Sequence, residues 1–396
     1  MLRWLGQIVA VTLVSIRTIP RRVSSSVVAV IGIAGVVVVL VSVLSIAEGF
    51  KAAVLGTGSP NRAIVLRNGS QSEMTSGLTG PETDIIKQAP GIAQAGGRPV
   101  AAAELFVVVD LPKRSTGTPA NVPIRGIEPG SLPIRPELKI VDGRAPVLGT
   151  NEAIVGSAAQ RQFQGIDLGS TYTTGQLTLR IVGIFTANGS SAESEIWCDS
   201  KVLQGAYRRG NSYQSVLVQL DSPASFDSFK AWLTTNPQLN VETKREPEFY
   251  AGQTQVMTGL IDSIGYTISM LMALGAIFGA VLTMYTAVAT RTREIATLRA
   301  LGFNTTSVLV SVVGESLVLA FIGGVAGALL AYVGFNGYET STMNFSSFSQ
   351  IAFAFHVTPA LLSQGLIWAL AIGFLGGLFP AIRAARLPIA SALREL

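Results

Sequence analysis

Thr290-Arg-Thr-Arg-Glu-Ile-Ala-Thr-Leu-Arg-Ala-Leu-Gly-Phe-Asn304 stands between two long apolar runs, 264–289 and 308–333. The first run carries no charged side chain and the second carries one, Glu315. Each exceeds the roughly 20 apolar residues that a helix needs to cross a bilayer. Within the charged stretch, Ile295, Leu298 and Leu301/Phe303 recur at helical spacing beside Arg291, Arg293 and Arg299, and Gly302 follows. An apolar stripe next to a basic one, closed by glycine, predicts a surface helix that presses on a partner. The unit reads as a lever: transmembrane helices at 264–289 and 308–333, joined by a coupling helix or loop over 290–307.

Composition agrees. The chain is 48% hydrophobic and 13% charged, where soluble domains carry about a quarter charged residues. Two further uncharged runs, 27–47 and 361–379, bring the expected spans to four and put both termini on one side. Lys and Arg concentrate on the cytoplasmic side of membrane proteins. Segments 1–26, 290–307 and 380–396 together hold ten arginines against two acids, whereas 48–262 holds 19 basic and 20 acidic residues. Both termini and the coupling stretch are therefore expected in the cytoplasm, and 48–262 outside it. The net charge of +5 is a topology signal, and no nucleic-acid partner is expected.

Residues 1–22 place Leu2, Leu5, Ile8, Val9, Leu13 and Ile16 on one helical face with Trp4 near the start, which suits a helix lying in the cytoplasmic interface. The run from Val27 is too long for a cleavable signal core, so it is expected to stay as the first span. Residues 48–262 have the composition of a folded α+β domain. Strand-like runs are Ala63–Arg67, Glu104–Asp110, Leu177–Phe185, Glu195–Cys198 and Ser215–Leu220. Helical candidates are Glu82–Gln88, Glu152–Gln164, Pro223–Thr234 and Glu246–Asp262, the last running on into the second span. A membrane-proximal lobe is expected over 48–110 and 211–262, with a distal lobe over 111–210 inserted into it. Residues 334–360 read as an outer loop and 380–396 as a cytoplasmic tail. The predicted class is an α-helical membrane protein of four transmembrane helices, with a large α+β extracytoplasmic domain between helices 1 and 2.

Chemistry-bearing residues are few. Cys198 is the only cysteine and His356 the only histidine, which leaves no intrachain disulfide and points away from a Ser-His-Asp site. Glu193, Glu195 and Asp199 lack His or Cys at ligand spacing and read as solvated charges, so no metal is expected. No GxxxxGK[ST] occurs, so no cofactor is expected on this chain. Glu315 is an intramembrane carboxylate, which is functional by default; its plainer reading is a packing acid that hydrogen-bonds a neighbouring helix through Ser311, Ser316 or a Ser/Thr opposite. Gly275/Gly279, Gly323/Gly327 and Gly373/Gly377 have the four-residue spacing that lets helices approach closely, favouring a tight bundle and a dimer.

Residues 291–302 match R-x-R-E-I-x-x-L-R-A-L-G, and 377–394 are similar to G-x-x-P-A-x-R-A-A-R-x-x-P-x-x-A-L-R, with Pro388 standing one position early. With Glu315 and Gly323-Gly324-x-x-Gly327, this resembles the FtsX-like permease domain shared by MacB-type macrolide-exporter, lipoprotein-release and cell-division permeases. Arg144, Glu152-Ala-Ile-Val-Gly and Val182-Gly-Ile-Phe fit the same layout. The resemblance implies an ABC transporter permease of the bacterial cytoplasmic (inner) membrane, itself not an enzyme. A separate cytoplasmic ATPase, carrying ATP and Mg, would dock on Arg291, Arg293, Glu294, Ile295, Leu298, Arg299, Leu301 and Gly302. It also implies a homodimer working by mechanotransmission, with a periplasmic adaptor and outer-membrane channel where an outer membrane exists. The expected function is extrusion of a drug, peptide, lipid or lipoprotein. The alternatives are a non-transporting regulator of an extracytoplasmic cell-wall hydrolase, or a membrane-tethered sensor.

Overall fold

A computed structural model of the chain describes residues 23–289, 292–344 and 347–386. The interfacial helix expected over 1–22, Arg291 and the tail from 387 lie outside them. Apart from single turns, the helices are α1 (Val23–Leu55), α2 (Gly80–Ile86), α3 (Ser157–Gln162), α4 (Ser200–Ala206), α5 (Ser225–Thr235), α6 (Glu246–Ala289), α7 (Thr292–Ala300), α8 (Thr305–Phe335) and α9 (Pro359–Ala385). The longer strands are β1 (Arg62–Arg67), β2 (Ala101–Pro112), β3 (Pro119–Ile127), β4 (Lys139–Gly143), β5 (Glu152–Gly156), β6 (Thr171–Thr174), β7 (Leu177–Thr186), β8 (Ile196–Asp199), β9 (Ser215–Gln219), β10 (Val241–Arg245), β11 (Glu339–Asn344) and β12 (Ser349–Ala354). The chain divides into two compact units. One is helical and takes in Leu260–Tyr338; the other is built on a sheet and takes in Gly49–Gly259 and Glu339–Ala354.

Among the described residues, four helices are long and apolar enough to cross a membrane: Ser26–Leu55, Met257–Ala289, Thr305–Phe335 and Pro359–Ala385. The chain is a multi-pass membrane protein. α1 supplies much of the core: Ile33, Val36, Val37, Leu40, Val41 and Leu44 are buried with Ala320, Ala369 and Ile372 from α8 and α9. α6 is the least covered, leaving Leu271, Phe278 and Leu282 exposed, as lipid-facing side chains are. α9 starts on a built cap, with Thr358 Oγ1 accepting from the Leu361 amide at 3.2 Å and Pro359 in its first turn.

Among the described residues, the main sheet of the sheet unit has ten strands in the order β10-β1-β9-β2-β3-β8-β5-β7-β4, with β6 beside β7. β2 changes partner midway. Ala101–Glu104 pair with β9, and from Leu105 onward it pairs with β3. Two cores lie on either side of that handover. Ala63, Val65, Val216, Val218 and Phe229 belong to one, and Leu105, Val122, Ile124, Val155, Leu179 and Cys198 to the other. The boundary read at 110/111 thus falls inside β2, because strand alternation says nothing about which neighbour a residue pairs with. α2 begins with a capping box between Thr79 and Glu82.

Two readings are corrected. Glu152–Gln164 is not one helix: the apolar, β-branched Glu152–Gly156 forms β5, paired with β7 and β8, before α3 starts. Residues 334–360 are not simply a loop, since β11 and β12 pair as a hairpin that belongs to the sheet unit. The Ala352 amide donates to Ser194 Oγ at 2.8 Å, Asn121 Nδ2 to the Phe348 carbonyl at 2.7 Å, and Arg161 pairs with Glu339 at 2.8 Å.

Candidate functional site

α7 is a short helix set on a greasy seat. Ile295 is buried with Val288 of α6, Val308 and Val312 of α8, and Ala381 and Ala384 of α9. Ala296 is buried too. Gly302 then turns the chain with φ +94°, a left-handed backbone that suits a residue without Cβ, and its amide donates to the Arg299 carbonyl at 3.1 Å. Arg293 is exposed and Arg299 half-buried. Leu301 is 72% exposed, so the apolar stripe read through 295, 298 and 301 does not face inward as one. Glu294 and Leu298 lie within the same helix. The seat ties α7 to three of the four membrane helices, and Arg293 and Leu301 present a basic and an apolar group at the surface. Arg383 at the end of α9 lies 5.4 Å from the Tyr285 ring centroid.

Two of the three glycine pairs bring helices together. A methyl on Gly323 would meet the Val30 carbonyl oxygen at 2.9 Å, and one on Gly327 the Ala34 carbonyl oxygen at 2.6 Å, so both seat α8 on α1. Gly373 faces Ala320, and a methyl on Gly377 would lie 2.6 Å from Ser316 Cβ, so both seat α9 on α8. Gly275 and Gly279 have no neighbour at that distance among the described residues. They line an open groove of about 300 Å³ with Val28, Gly32 and Val36. Glu315 is buried in α8, and next to it Ser316 Oγ donates to the Gly373 carbonyl at 2.6 Å.

The dispersed motif Arg144, Glu152 and Val182-Gly183 converges in the sheet unit. Arg144 donates both Nη groups to Glu152, its amide donates to the Val182 carbonyl at 2.9 Å, and Gly183 packs on the Arg144 carbonyl. The fork from Arg144 holds the Glu152 carboxyl down to about 2.

Sequence reading missed a buried ion network. Arg125 on β3 reaches Glu195 through Nε at 2.7 Å, Glu73 through Nη1 at 2.8 Å and Glu104 through Nη1 at 2.9 Å. Arg135 forks onto Glu104 at 2.6 and 2.8 Å. Burial acts to raise the Glu104 carboxyl, but Arg135 and Arg125 outweigh it and bring it down to about 2. Glu193, Glu195 and Asp199, read as solvated, are all buried. Glu193 accepts from the Ala187 and Gly189 amides, both at 2.7 Å, and Asp199 caps α4 through the Lys201 amide at 2.6 Å. Their proximity in sequence hid three separate structural tasks. The one available signal was Glu104 and Arg125 standing inside apolar runs, where an unpaired charge would be costly.

Residues 266–389 match the FtsX-like permease C-terminal model and 26–236 the MacB-like periplasmic core domain model. The macrolide export ATP-binding/permease protein MacB of Bradyrhizobium diazoefficiens is 23% identical over 389 residues, covering 86% of this chain and 57% of its own. The protein of the same name from Shewanella oneidensis is 23% identical over 384 residues, with the same two coverages. The chain thus spans little more than half the length of these relatives. The periplasmic region of MacB from Actinobacillus actinomycetemcomitans aligns with a TM-score of 0.38 at 12% identity, over 50% of this chain and 93% of that one. With four membrane helices, a basic α7 seated on their ends, a sheet unit between the first two, and a core-domain model matching over half its length, the chain belongs to the MacB/FtsX-like permease family.

Proposed function

We propose that the chain is the permease of an ATP-driven ABC transporter that works by mechanotransmission. A cytoplasmic ABC ATPase, holding ATP and Mg, docks on α7; its closure shifts α7 and the ends of α6, α8 and α9; and the sheet unit, lying outside the cytoplasmic membrane, moves the substrate. The termini are then cytoplasmic and the protein works as a homodimer. The substrate is a drug, peptide, lipid or lipoprotein taken at the outer face, passed to an adaptor and outer-membrane channel where an outer membrane exists.

One observation carries the reading. Apart from α7, the connections between membrane helices, from the end of α1 to the start of α6 and from α8 to α9, are built into the sheet unit. Neither connection is a free loop among the described residues. A displacement of any helix therefore reaches the sheet unit through covalent structure, and stiff helices with buried backbone bonds lose little of it.

Affinity purification of the tagged full-length chain from its host, with identification of the bound ATPase, tests this. Arg293→Glu is expected to cut the recovered ATPase by about tenfold, since reversing an exposed charge on a docking face costs about 1.4 kcal/mol or more. Equal recovery with wild type and variant would refute docking on α7. Recovery of a cell-wall hydrolase without any transport adaptor would favour the regulatory reading.

A further inference from the structure

Arg62, the first residue of β1, is buried and spends its guanidinium on four groups from three segments. Its Nε donates to Glu246 Oε2, Nη1 to the Ile134 carbonyl at 3.0 Å and to Glu137 Oε1 at 2.7 Å, and Nη2 to the Thr57 carbonyl at 3.2 Å. Thr57 lies two residues past the end of α1, and Glu246 is the first residue of α6. The same two ends are fastened a second time without Arg62. The Ser59 amide donates to Glu246 Oε2 at 2.9 Å, and a methyl on Gly58 would lie 2.8 Å from the Pro247 nitrogen, so the two backbones lie in contact. Thr57 Oγ1 in turn donates to the Ala53 carbonyl at 3.0 Å inside the last turns of α1 and meets Ser191 Oγ at 2.9 Å.

We infer that Arg62 is a positioning residue that pins the end of α1 and the start of α6 to each other and to the Ile134–Glu137 segment, so that the two helices drive the sheet unit as one body. This deepens the mechanotransmission reading and rests on it. The planar fork lets one residue reach all three segments, where the second fastening joins only the two helix ends. Arginine holds its donors at fixed angles in one plane, whereas a lysine ammonium at the same place keeps the charge but cannot span three segments. A rigid joint is needed because helices that slid independently at this point would absorb displacement by shear.

The test uses the full chain with its co-purified ATPase in lipid nanodiscs, spin-labelled at Ser228→Cys on α5 and Leu282→Cys on α6, both exposed positions. The label-to-label distance is measured without nucleotide and with Mg-ATP plus vanadate. In Arg62→Lys the nucleotide-driven shift is expected to fall below about half of the wild-type shift while ATP hydrolysis stays within about twofold of wild type, because the joint yields but the docking face is untouched. Glu246→Gln, which leaves Arg62 paired with Glu137, is expected to give a smaller loss in the same direction and serves as the measure should Arg62→Lys not fold. If wild type shifts and the folded variants shift equally, the pin is overturned and the mechanotransmission reading survives. If wild type itself does not respond to nucleotide, both fall.

Discussion

Replacing Arg125 by methionine tests whether the sheet unit is held by its buried ions or merely tolerates them. Arg125 is the only cation within salt-bridge distance of Glu73 and of Glu195 among the described residues, and it shares Glu104 with Arg135. Without it, Glu104 keeps Arg135, while Glu73 keeps the Ser215 hydroxyl at 2.7 Å and Glu195 the Trp197 indole N–H at 2.7 Å. Two buried carboxylates thus lose their counter-charge. Breaking a buried pair from one side costs about 3–5 kcal/mol, because the partner stays desolvated and unpaired. Since every 1.4 kcal/mol is tenfold, local opening around β8 becomes about 10² to 10³·⁵ times more frequent. Hydrogen exchange at the amides of 196–199 in the full chain, held in lipid nanodiscs, reads this directly. Adding Glu73→Gln and Glu195→Gln to Arg125→Met removes the unpaired charges and is expected to restore at least half of the lost protection. Exchange in Arg125→Met within tenfold of wild type, or a triple variant as fast as the single one, would refute the reasoning.

Two further outcomes follow from the packing. Gly327→Ala forces a methyl against the Ala34 carbonyl oxygen and is expected to destabilise the helical unit by about 1–3 kcal/mol, as overpacking does. Gly275→Ala fills open space and is expected to be neutral or stabilising by up to about 1 kcal/mol through helix propensity. Thermal unfolding in nanodiscs ranks the two, and the reverse order would overturn the packing assignment. Burial pushes the Cys198 thiol up, so at pH 7.5 a maleimide is expected to leave the folded chain unlabelled and to modify it after denaturation in urea. Labelling of the native chain at the rate of a free thiol would show that the core around Leu105, Val155 and Cys198 is open.

The membrane helices and α7 were legible because long apolar runs and a basic amphipathic turn are local signals that need no knowledge of partners. The sheet was legible only in part. β1, β2, β7, β8 and β9 announce themselves by apolar residues, but β3 opens on a proline, β4 carries Lys139 and Asp142 at an exposed edge, and β10 reads Val-Glu-Thr-Lys-Arg. Such edge and charged strands exist because neighbours supply their hydrogen bonds, and a sequence window does not contain the neighbour. The hairpin between α8 and α9 escaped for the same reason: its strands are short and polar on one side, and much of their anchoring comes from Asn121, Arg161 and Ser194, more than a hundred residues away.

The buried ions mark where single-strand reasoning stops. Glu104 stands in Ala-Ala-Ala-Glu-Leu-Phe-Val and Arg125 in Asn-Val-Pro-Ile-Arg-Gly-Ile, each an apparent error in an apolar strand. Taken alone, each predicts a surface-facing side chain and a one-sided sheet. The register pairs Phe106 with Arg125 and Leu105 with Gly126, which brings the arginine beside Glu104, lays its guanidinium 5.4 Å from the Phe106 ring centroid and leaves room on the Gly126 side for Leu203. The two apparent errors cancel each other. A charge is tolerable in a core only when its counter-charge arrives in the same fold, so two charges in separate apolar strands are better read as one contact than as two exposures. By the same logic Arg62 and Glu246, one opening a strand and the other a helix, were a pair before either had a visible role.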